Sequence, residues 1–336
     1  MGFVSIGDLA IGLQQRSLNA QLKNQARLQG QELASGEVAD RARALDGGLD
    51  RLAGLRRRLT LLDAYARSTA ELGLRASAQQ DALAELQGAV TETGNAALVT
   101  ASSAAATGID ATAEAALQQF RRAVAALNAQ AGGQSLFAGR ASDGPALLPA
   151  DGILDLLEPL VAGETTAAGV EAVLDDFFGL PGGGFESGVY LGADSAGGPV
   201  RISRGQSAEL PATAADPRLR AALKGLAGAA LLSRRVLPGD GAERMALLRA
   251  SGEALASAAT GVIDLRAGIG AVEERLQAVS GRNGAERLAA EDTLTRLLAV
   301  DGYEVASRLK QTETSLESLY ITTARLARLS LTRYLR

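Results

Sequence analysis

The residue types that most enzymes use for nucleophilic and metal chemistry do not occur in this sequence. Its 336 residues include no Cys and no His. This excludes Ser–His and Cys–His nucleophilic catalysis, thiolate zinc sites and disulfides. What remains for chemistry is a set of carboxylates and glycine-rich segments.

One candidate is the adjacent pair Asp175 and Asp176, as paired carboxylates or as oxygen ligands of a metal. Consecutive helix residues point about 100° apart, so these two carboxylates converge poorly. A solvated helix end is the better interpretation. The run Gly182-Gly183-Gly184 resembles a phosphate-binding loop, but the Gly-Lys-Ser/Thr of a P-loop does not follow it. We interpret it as a flexible turn.

A third candidate, Gly268-Ile269-Gly270, begins like a dinucleotide-binding fingerprint. It lies inside a predicted helix with no strand before it, and Glu273 stands where the third glycine belongs. We interpret it as a place where helices approach closely. The sequence therefore predicts no catalytic residue, no cofactor and no metal site. An enzyme housed in residues 142–240 would need a pocket of convergent polar groups, and no such constellation is present.

The composition favours long helices and excludes several classes of partner. Hydrophobic residues make up 47% of the chain but aromatic residues only 3%, and most of the apolar residues are Ala and Leu. The net charge is −4, which gives no basic footprint for nucleic acid. No uncharged apolar run is long enough for a membrane span, and the first thirty residues lack the pattern of a secretory signal.

The clearest periodic stretch is an apolar seam with steps of three and four residues. Only Ser251 is polar in it, and at 1.5 Å per residue it spans roughly 48 Å. Its members are Leu248, Ser251, Leu255, Ala258, Val262, Leu265, Ile269, Val272, Leu276 and Val279. Such a stripe needs a partner helix.

The partner seam lies in the other half of the chain, with the same spacing. It consists of Leu52, Leu55, Leu59, Leu62, Ala66, Thr69, Gly73, Ala76, Gln80, Leu83, Gln87 and Val90. We expect the two long helices to pack side by side. The predicted rod core comprises Leu52, Leu59, Leu62, Leu83, Val262, Leu265, Ile269, Val272 and Leu276.

The chain ends form a second, outer pair of predicted helices. Ile6, Leu9 and Leu13 start an apolar pattern near the N-terminus, and the last helix carries the stripe Val305, Leu309, Thr312, Leu316, Leu319, Thr323 and Leu326. One stripe on each of two thin helices buries little area, so we expect these helices to become ordered against other subunits. The predicted assembly interface is Ile6, Leu9, Leu13, Leu316, Leu319 and Leu326.

The predicted fold is mainly α. Both termini form a long antiparallel coiled-coil or helical-bundle rod, and a small mixed α/β domain is inserted at its tip. The division is 1–40 with 301–336 as terminal helices, 41–141 with 241–300 as the rod, and 142–240 as the insertion. In the insertion we expect helices at 153–161, 168–177 and 216–232, and strands at 189–191, 200–203 and 209–212.

Several segments resemble the flagellin-like family, and within it the hook–filament junction proteins (hook-associated protein 3). The C-terminal segment 316–336, LESLYITTARLARLSLTRYLR, is the most specific. Segment 262–276, VIDLRAGIGAVEERL, is similar to one that flagellins and junction proteins share. Segment 32–38, ELASGEV, is similar to the family's Leu-Ser-Ser-Gly turn, although the acidic Glu37 departs from the usual basic residue. Segment 134–139, QSLFAG, resembles the family's strand after the third helix.

The resemblance implies a non-catalytic structural subunit of the bacterial flagellum. Its expected partners are copies of itself in a ring, the hook-side junction protein, filament flagellin and a cytoplasmic export chaperone. It implies export through the type III channel without a cleaved signal, and an extracellular location. Two alternatives stay open: a filament flagellin, and a cytoplasmic coiled-coil scaffold or signalling rod with termini that are ordered before any assembly.

Overall fold

The computed structural model describes residues 6–44, 48–103, 108–193, 195 and 197–334, without the side chains of 6–9, 11, 43–44 and 326–334. The fold is mainly α with a small α/β insertion, as the sequence predicts. Its helices are α1 Ile6–Ser35, α2 Arg41–Ala44, α3 Leu49–Ser102, α4 Ile109–Leu127, α5 Ala150–Val161, α6 Ala167–Gly179, α7 Pro217–Leu231, α8 Gly241–Leu298 and α9 Gly302–Tyr334. Antiparallel hairpins join β1 Gln130–Ala131 to β2 Gln134–Ser135, and β3 Val200–Ser203 to β4 Gln206–Ala208.

The chain forms two compact units. The first comprises Met1–Leu62 with Ala285–Arg336, and the second comprises Asp63–Gly284. Helices α3 and α8 each contribute residues to both units. The three-part division drawn from the sequence stays a prediction.

From Leu62 onward, the seam of α3 differs from the predicted one by one residue at every second position. The buried residues step as Leu62, Tyr65, Thr69, Leu72, Ala76, Gln79, Leu83, Leu86, Val90 and Thr93. Ala66 is exposed, and Gly73, Gln80 and Gln87 are half-buried. The shift brings larger apolar side chains into the core, because Tyr65, Leu72 and Leu86 replace Ala66, Gly73 and Gln87.

The seam of α8 lies where the sequence predicts it. All of its positions from Leu248 to Val279 are buried except Val272, which is half-buried. Two glycines on neighbouring helices allow close packing on Leu255. A Cβ atom added at Gly94 of α3 would lie 3.2 Å from the Leu255 Cβ, and one added at Gly225 of α7 would lie 2.8 Å from its Cγ.

Polar side chains fix α3 against α8 beside this seam. The guanidinium of Arg266 donates to Gln80 Oε1 at 3.2 Å and to Gln87 Oε1 at 2.5 Å. Gln80 Nε2 in turn donates to the Arg266 carbonyl at 2.8 Å. Because these hydrogen bonds require particular residues to face each other, they select one register of the two helices.

Helices α5, α6 and α7 of the insertion share an apolar core with α4, which precedes the insertion in the chain. Helix α4 packs on α7, and α7 packs on α6. The largest fully buried side chains of this core include Phe120, Phe137, Phe178 and Phe185.

Two amides of the long helices hold backbone carbonyls, one just before the insertion and one within it. Gln79 Nε2 donates to the Leu136 carbonyl at 2.7 Å, and Asn283 Nδ2 donates to the Ile202 carbonyl at 2.8 Å. Both amide side chains are buried, so each bond satisfies a carbonyl that water does not reach.

Two of the predicted strands were wrong. Residues 185–189 form a π-helical turn, and the predicted strand at 189–191 reduces to one bridge between Tyr190 and Leu147. No strand occupies 209–212, because β4 already ends at Ala208. Apolar residues at these positions are buried by the helical core, which does not require a sheet.

Asp216 caps the N-terminus of α7. Its Oδ1 accepts from the Arg218 backbone N–H at 2.9 Å, and its Oδ2 accepts from the Arg218 guanidinium at 2.7 Å. Burial acts to raise the pKa of Asp216, but the hydrogen bonds from Arg218 outweigh it and the net pKa is lowered.

The lowered pKa of Asp216 predicts a pH-dependent contribution to stability. The contribution is present above the unfolded pKa of about 4 and is lost as pH falls through the lower folded pKa. We expect Asp216→Asn, which keeps a capping oxygen, to cost about 1 kcal/mol at pH 7. Urea unfolding should show the gap between wild type and variant closing below pH 4. A gap that is constant from pH 7 to pH 3 would contradict this assignment.

The close packing at Gly225 predicts opposite effects of Gly→Ala at two helix positions. Gly225→Ala places its Cβ against fully buried Leu255, so we expect destabilisation by about 1–3 kcal/mol. Gly88→Ala meets no atom within 4 Å on an exposed part of α3, so it should stabilise the protein by about 0.5–1 kcal/mol. Thermal denaturation measures the stability of both variants. A stabilising Gly225→Ala would contradict the prediction, because it would mean that the Leu255 side chain moves aside for the added methyl group at little cost.

Candidate functional site

The candidate site is the pair of terminal helices, α1 and α9, which pack on each other within the first unit. The segments that connect them to α2 and α8 hydrogen-bond as a short antiparallel bridge. The Val38 N–H donates to the Leu298 carbonyl at 2.9 Å, and the Val300 N–H donates to the Gly36 carbonyl at 3.0 Å. Gly36 adopts φ +71°, which suits glycine and lets the chain turn out of α1.

Two contacts show that α1 and α9 run antiparallel. The bridge joins Glu37 to Ala299, and farther along the pair the Lys23 ammonium lies 5.9 Å from the centre of the Tyr320 ring. Asp301 starts α9 as its cap, since its Oδ1 accepts from the N–H groups of Tyr303 and Glu304 at 2.9 and 3.2 Å.

Helix α9 turns its predicted stripe toward α1. Val305 and Thr312 are buried, and four further members of the stripe are half-buried: Leu309, Leu316, Leu319 and Thr323. The spacing alternates between four and three residues, as in a coiled-coil seam.

Helix α1 presents a mixed stripe to α9, in which three of six residues are polar and one is a leucine. Its covered positions are Gly12, Gln15, Asn19, Leu22, Ala26 and Gln29, with the same three-four spacing. Gln29 is only 7% exposed, and its Oε1 has no hydrogen-bond partner in the part of the chain that the structure describes. By contrast, Leu13 is 62% exposed, and Leu18 and Leu33 are also exposed.

The structure therefore separates residues that the sequence grouped as one assembly interface. Leu316 and Leu319 face α1 and are half-buried, whereas Leu13 lies outside the α1–α9 seam. The side chains of Ile6, Leu9 and Leu326 lie outside the described ones. Sequence reasoning missed the Gln and Asn seam because it followed the leucines. The regular spacing of Gln15, Asn19 and Gln29 was the available signal.

The residues predicted as rod core are placed as follows. Leu52, Leu62, Leu83, Val262, Leu265, Ile269 and Leu276 are buried, and Leu59 and Val272 are half-buried. Their joint role as the core of a rod stays a prediction.

Of the two carboxylates considered for chemistry, Asp175 lines a small cleft between α6, α7 and α8, and Asp176 is exposed outside it. Asp175 pairs with the Lys224 ammonium, and Glu171 lines the same cavity of about 110 Å³. Burial raises the pKa of Glu171, opposed by the Lys224 charge and reinforced by Asp175 and Glu253. Because Lys224 already neutralises Asp175, the cleft contains an ion pair rather than two free carboxylates.

Neither glycine-rich segment forms a nucleotide cradle. Gly268 and Gly270 lie within α8, and Gly182 adopts φ +71° in the turn after α6. Over the described residues, no group of three or more Asp and Glu side chains is arranged to hold a metal ion. Helix α8 contains one 18-residue window apolar enough for a membrane, which is weak evidence because its seam is protein core.

Solved flagellar structures share this fold. A "putative flagellar hook-associated protein" from Vibrio parahaemolyticus is 17% identical, with a TM-score of 0.54 over 73% of this chain and 94% of that one. FlgL from Bacillus cereus is 12% identical, with a TM-score of 0.50 over 72% of this chain and 99% of that one. No protein-family model matches the sequence, and no curated protein sequence does either. At these identities the likeness establishes the fold.

The unsatisfied amide at the α1–α9 seam predicts that an apolar replacement stabilises the pair. We expect Gln29→Leu to stabilise α1 by about 1 kcal/mol, because it removes a buried acceptor without a partner and adds apolar contact with α9. Amide hydrogen exchange of residues 15–33 should slow by about fivefold. Gln25→Leu, on an exposed position of α1, is the matched control and should leave the exchange unchanged. Equal slowing by both variants would mean that the seam is not where the structure has it.

Proposed function

We propose that this chain is a non-catalytic structural subunit of the bacterial flagellum at the hook–filament junction, and that its terminal helices join neighbouring subunits. The observation that carries the proposal is the orientation of α1. Polar Gln15, Asn19 and Gln29 occupy half of the positions that α9 covers, while Leu13, Leu18 and Leu33 of α1 are exposed. Exposed leucines offer apolar area that another chain can cover.

Two independent features support a flagellar role. The fold is similar to that of a protein described as hook-associated, over 94% of that protein's length. The sequence of segment 316–336 resembles the end of hook–filament junction proteins, and its residues 316–334 lie in α9, which forms half of the terminal pair. The other half, α1, carries the exposed residues Leu13, Leu18 and Leu33.

Burial between subunits would supply the energy of assembly. Covering an exposed leucine side chain contributes about 1.5–3 kcal/mol at most, and the predicted interface includes Ile6, Leu9 and Leu326 besides Leu13. The α1 side of the seam includes Gln15, Asn19 and Gln29, so packing within the pair buries less apolar area and neighbouring subunits would supply the rest. Ordering of the ends is then coupled to incorporation.

The same proposal specifies the partners and the location of the protein. Its partners are copies of itself in a ring, the hook-side junction protein and filament flagellin, and it has an export chaperone before secretion. The location is extracellular, reached without cleavage of a signal peptide. A chain without cysteine suits this route, because it can cross compartments unfolded without forming disulfides.

Two alternatives make different predictions. A filament flagellin with this fold would be present along the whole filament, whereas a junction subunit occurs only at the hook end. Immunogold labelling of isolated flagella separates the two. A cytoplasmic coiled-coil scaffold needs no export and would keep 1–33 and 303–336 as protected from amide exchange as 65–93 and 248–279 in the purified chain.

The decisive variant is Leu13→Asp. Leu13 is 62% exposed in the isolated chain, so we expect the circular-dichroism melting temperature to change by less than about 2 °C. Incorporation should fail, because the charge would be buried against a neighbouring subunit. Cells that express only this variant should lack filaments and motility.

Leu74→Asp is the matched control. Leu74 is 65% exposed in the second unit, on a helix with no predicted assembly contact. Cells carrying it should stay motile. Normal filaments with Leu13→Asp, or equal loss with both variants, would refute the terminal-helix interface. Motile cells after deletion of the whole gene would refute the flagellar role itself.

A further inference from the structure

The cleft between α6, α7 and α8 contains a carboxylate that the ion pair of Asp175 and Lys224 leaves unused. Glu171 lines this cleft and is half-buried, and it forms no hydrogen bond or ion pair within the described part of the chain. A carboxylate that is partly removed from water is normally paired, because its desolvation is costly. The cleft therefore has one negative group without a counter-charge of its own.

A second polar group without a partner lies on the α8 side of the cleft. Ser251 is 5% exposed and lines the cavity, and its hydroxyl forms no hydrogen bond with any other described residue. Hydroxyl side chains inside helices commonly donate to the carbonyl four residues earlier, as Thr312 does in α9. Gly228 of α7 makes room for the serine, since an added Cβ there would lie 2.7 Å from the Ser251 Oγ. A buried hydroxyl of this kind is left to pair with a ligand.

Apolar and small residues form the remaining walls of the cleft. Leu174 and Leu247 are buried, and Gly225, Ala250 and Ala254 leave the space between the helices open. Since one water needs roughly 10–15 Å³, a cavity of about 110 Å³ has room for several heavy atoms. A few polar groups beside an apolar wall suit a ligand with one charged end and a short alkyl chain.

The charges that act on Glu171 favour a cation as the ligand. Burial raises the pKa of Glu171, against the opposing charge of Lys224. The negative charges of Asp175 and Glu253 raise this pKa further. A second cation beside Glu171 would favour its charged form, which is the form that the cleft now penalises.

The arginines closest in sequence to the cleft residues of α7 and α8 are engaged elsewhere. Arg220 Nη1 donates to Glu186 Oε1 at 2.8 Å, and Arg249 Nη2 donates to the Ala101 carbonyl at 2.9 Å. Neither guanidinium group is therefore available to neutralise Glu171.

We propose that this cleft binds an unbranched primary alkylammonium ion. The ammonium group donates to the Glu171 carboxylate and to the Ser251 hydroxyl, and the alkyl chain lies along Leu174 and Leu247. Over the described residues no group of three or more carboxylates is arranged to hold a metal ion, so the ligand is an organic cation. A lysine side chain of another protein and a free diamine carry the same chemical group, and either source satisfies the site.

The test is an NMR titration of the isotope-labelled full-length chain with n-butylammonium chloride, which replaces NaCl at a constant ionic strength of about 0.1 M. We expect saturable shifts of the Glu171, Gly225 and Ser251 amides in the low millimolar range. Tetramethylammonium has no N–H group to donate, so it should bind at least about tenfold more weakly. A capped peptide with one lysine and 1,4-diaminobutane distinguish the two sources. Binding of the peptide indicates a protein partner, and binding of the diamine alone indicates a free amine.

Two variants assign the binding to the named groups. Glu171→Gln keeps the size of the side chain but removes its charge, so n-butylammonium should bind at least about tenfold more weakly. Ser251→Ala should weaken binding about threefold, and alanine keeps the helix intact. Asp176→Asn is the matched control, because it removes one negative charge from an exposed position outside the cleft. It should change the affinity by less than about twofold.

Several results would overturn the proposal. They are the absence of saturable shifts at these residues up to about 50 mM n-butylammonium, equal binding of tetramethylammonium, or binding of neither the peptide nor the diamine. An equal loss of affinity with Asp176→Asn and Glu171→Gln would overturn it too, as would wild-type affinity in both cleft variants. Circular-dichroism melting shows that each variant is folded. The cleft variants leave the terminal helices unchanged, so Leu13→Asp tests the proposed flagellar function separately.

Discussion

A long helix with an apolar stripe is stable only when that stripe is covered. The helices α8, α9 and α1 differ in what covers them. In α8 the stripe is covered within the second unit, where glycines of α3 and α7 bring their backbones close to Leu255. In α9 the stripe is covered by α1. Helix α1 differs, since Gln15, Asn19 and Gln29 occupy half of the positions that α9 covers and Leu13 stays in solvent. The two helices of one pair therefore expose different kinds of surface.

The short backbone bridge at Gly36–Val38 and Leu298–Val300 determines how these terminal helices are presented. It joins the segment leaving α1 to the segment entering α9, so the two helices start their pairing from a fixed point. Backbone hydrogen bonds impose this geometry whatever the side chains are. Polar residues can therefore occupy part of the seam without loss of register.

The long helices were predictable because their leucines repeat over many turns, and the α8 seam lies where its spacing indicates. In α3 the same reasoning failed at every second position, since Ala66 and Tyr65 fit the spacing almost equally well and only packing decides for the larger ring. The strands predicted at 189–191 and 209–212 were wrong for another reason, because an apolar run of three residues fits a strand or a helical core equally well. The terminal helices were predictable, but the face of α1 that packs on α9 was not, because Gln15, Asn19 and Gln29 give no hydrophobic signal.

The hydrogen bonds between Gln80 and Arg266 join residues 186 positions apart in the sequence. Closing so long a loop in an unfolded chain carries a large entropy cost, which grows with the logarithm of loop length. Once α4 to α7 have packed, that loop consists mostly of folded structure, and only short connections remain between these four helices and the two long helices. Packing of α4 to α7 therefore brings the distant halves of the chain together, and we expect it to precede the pairing of α3 with α8 during folding.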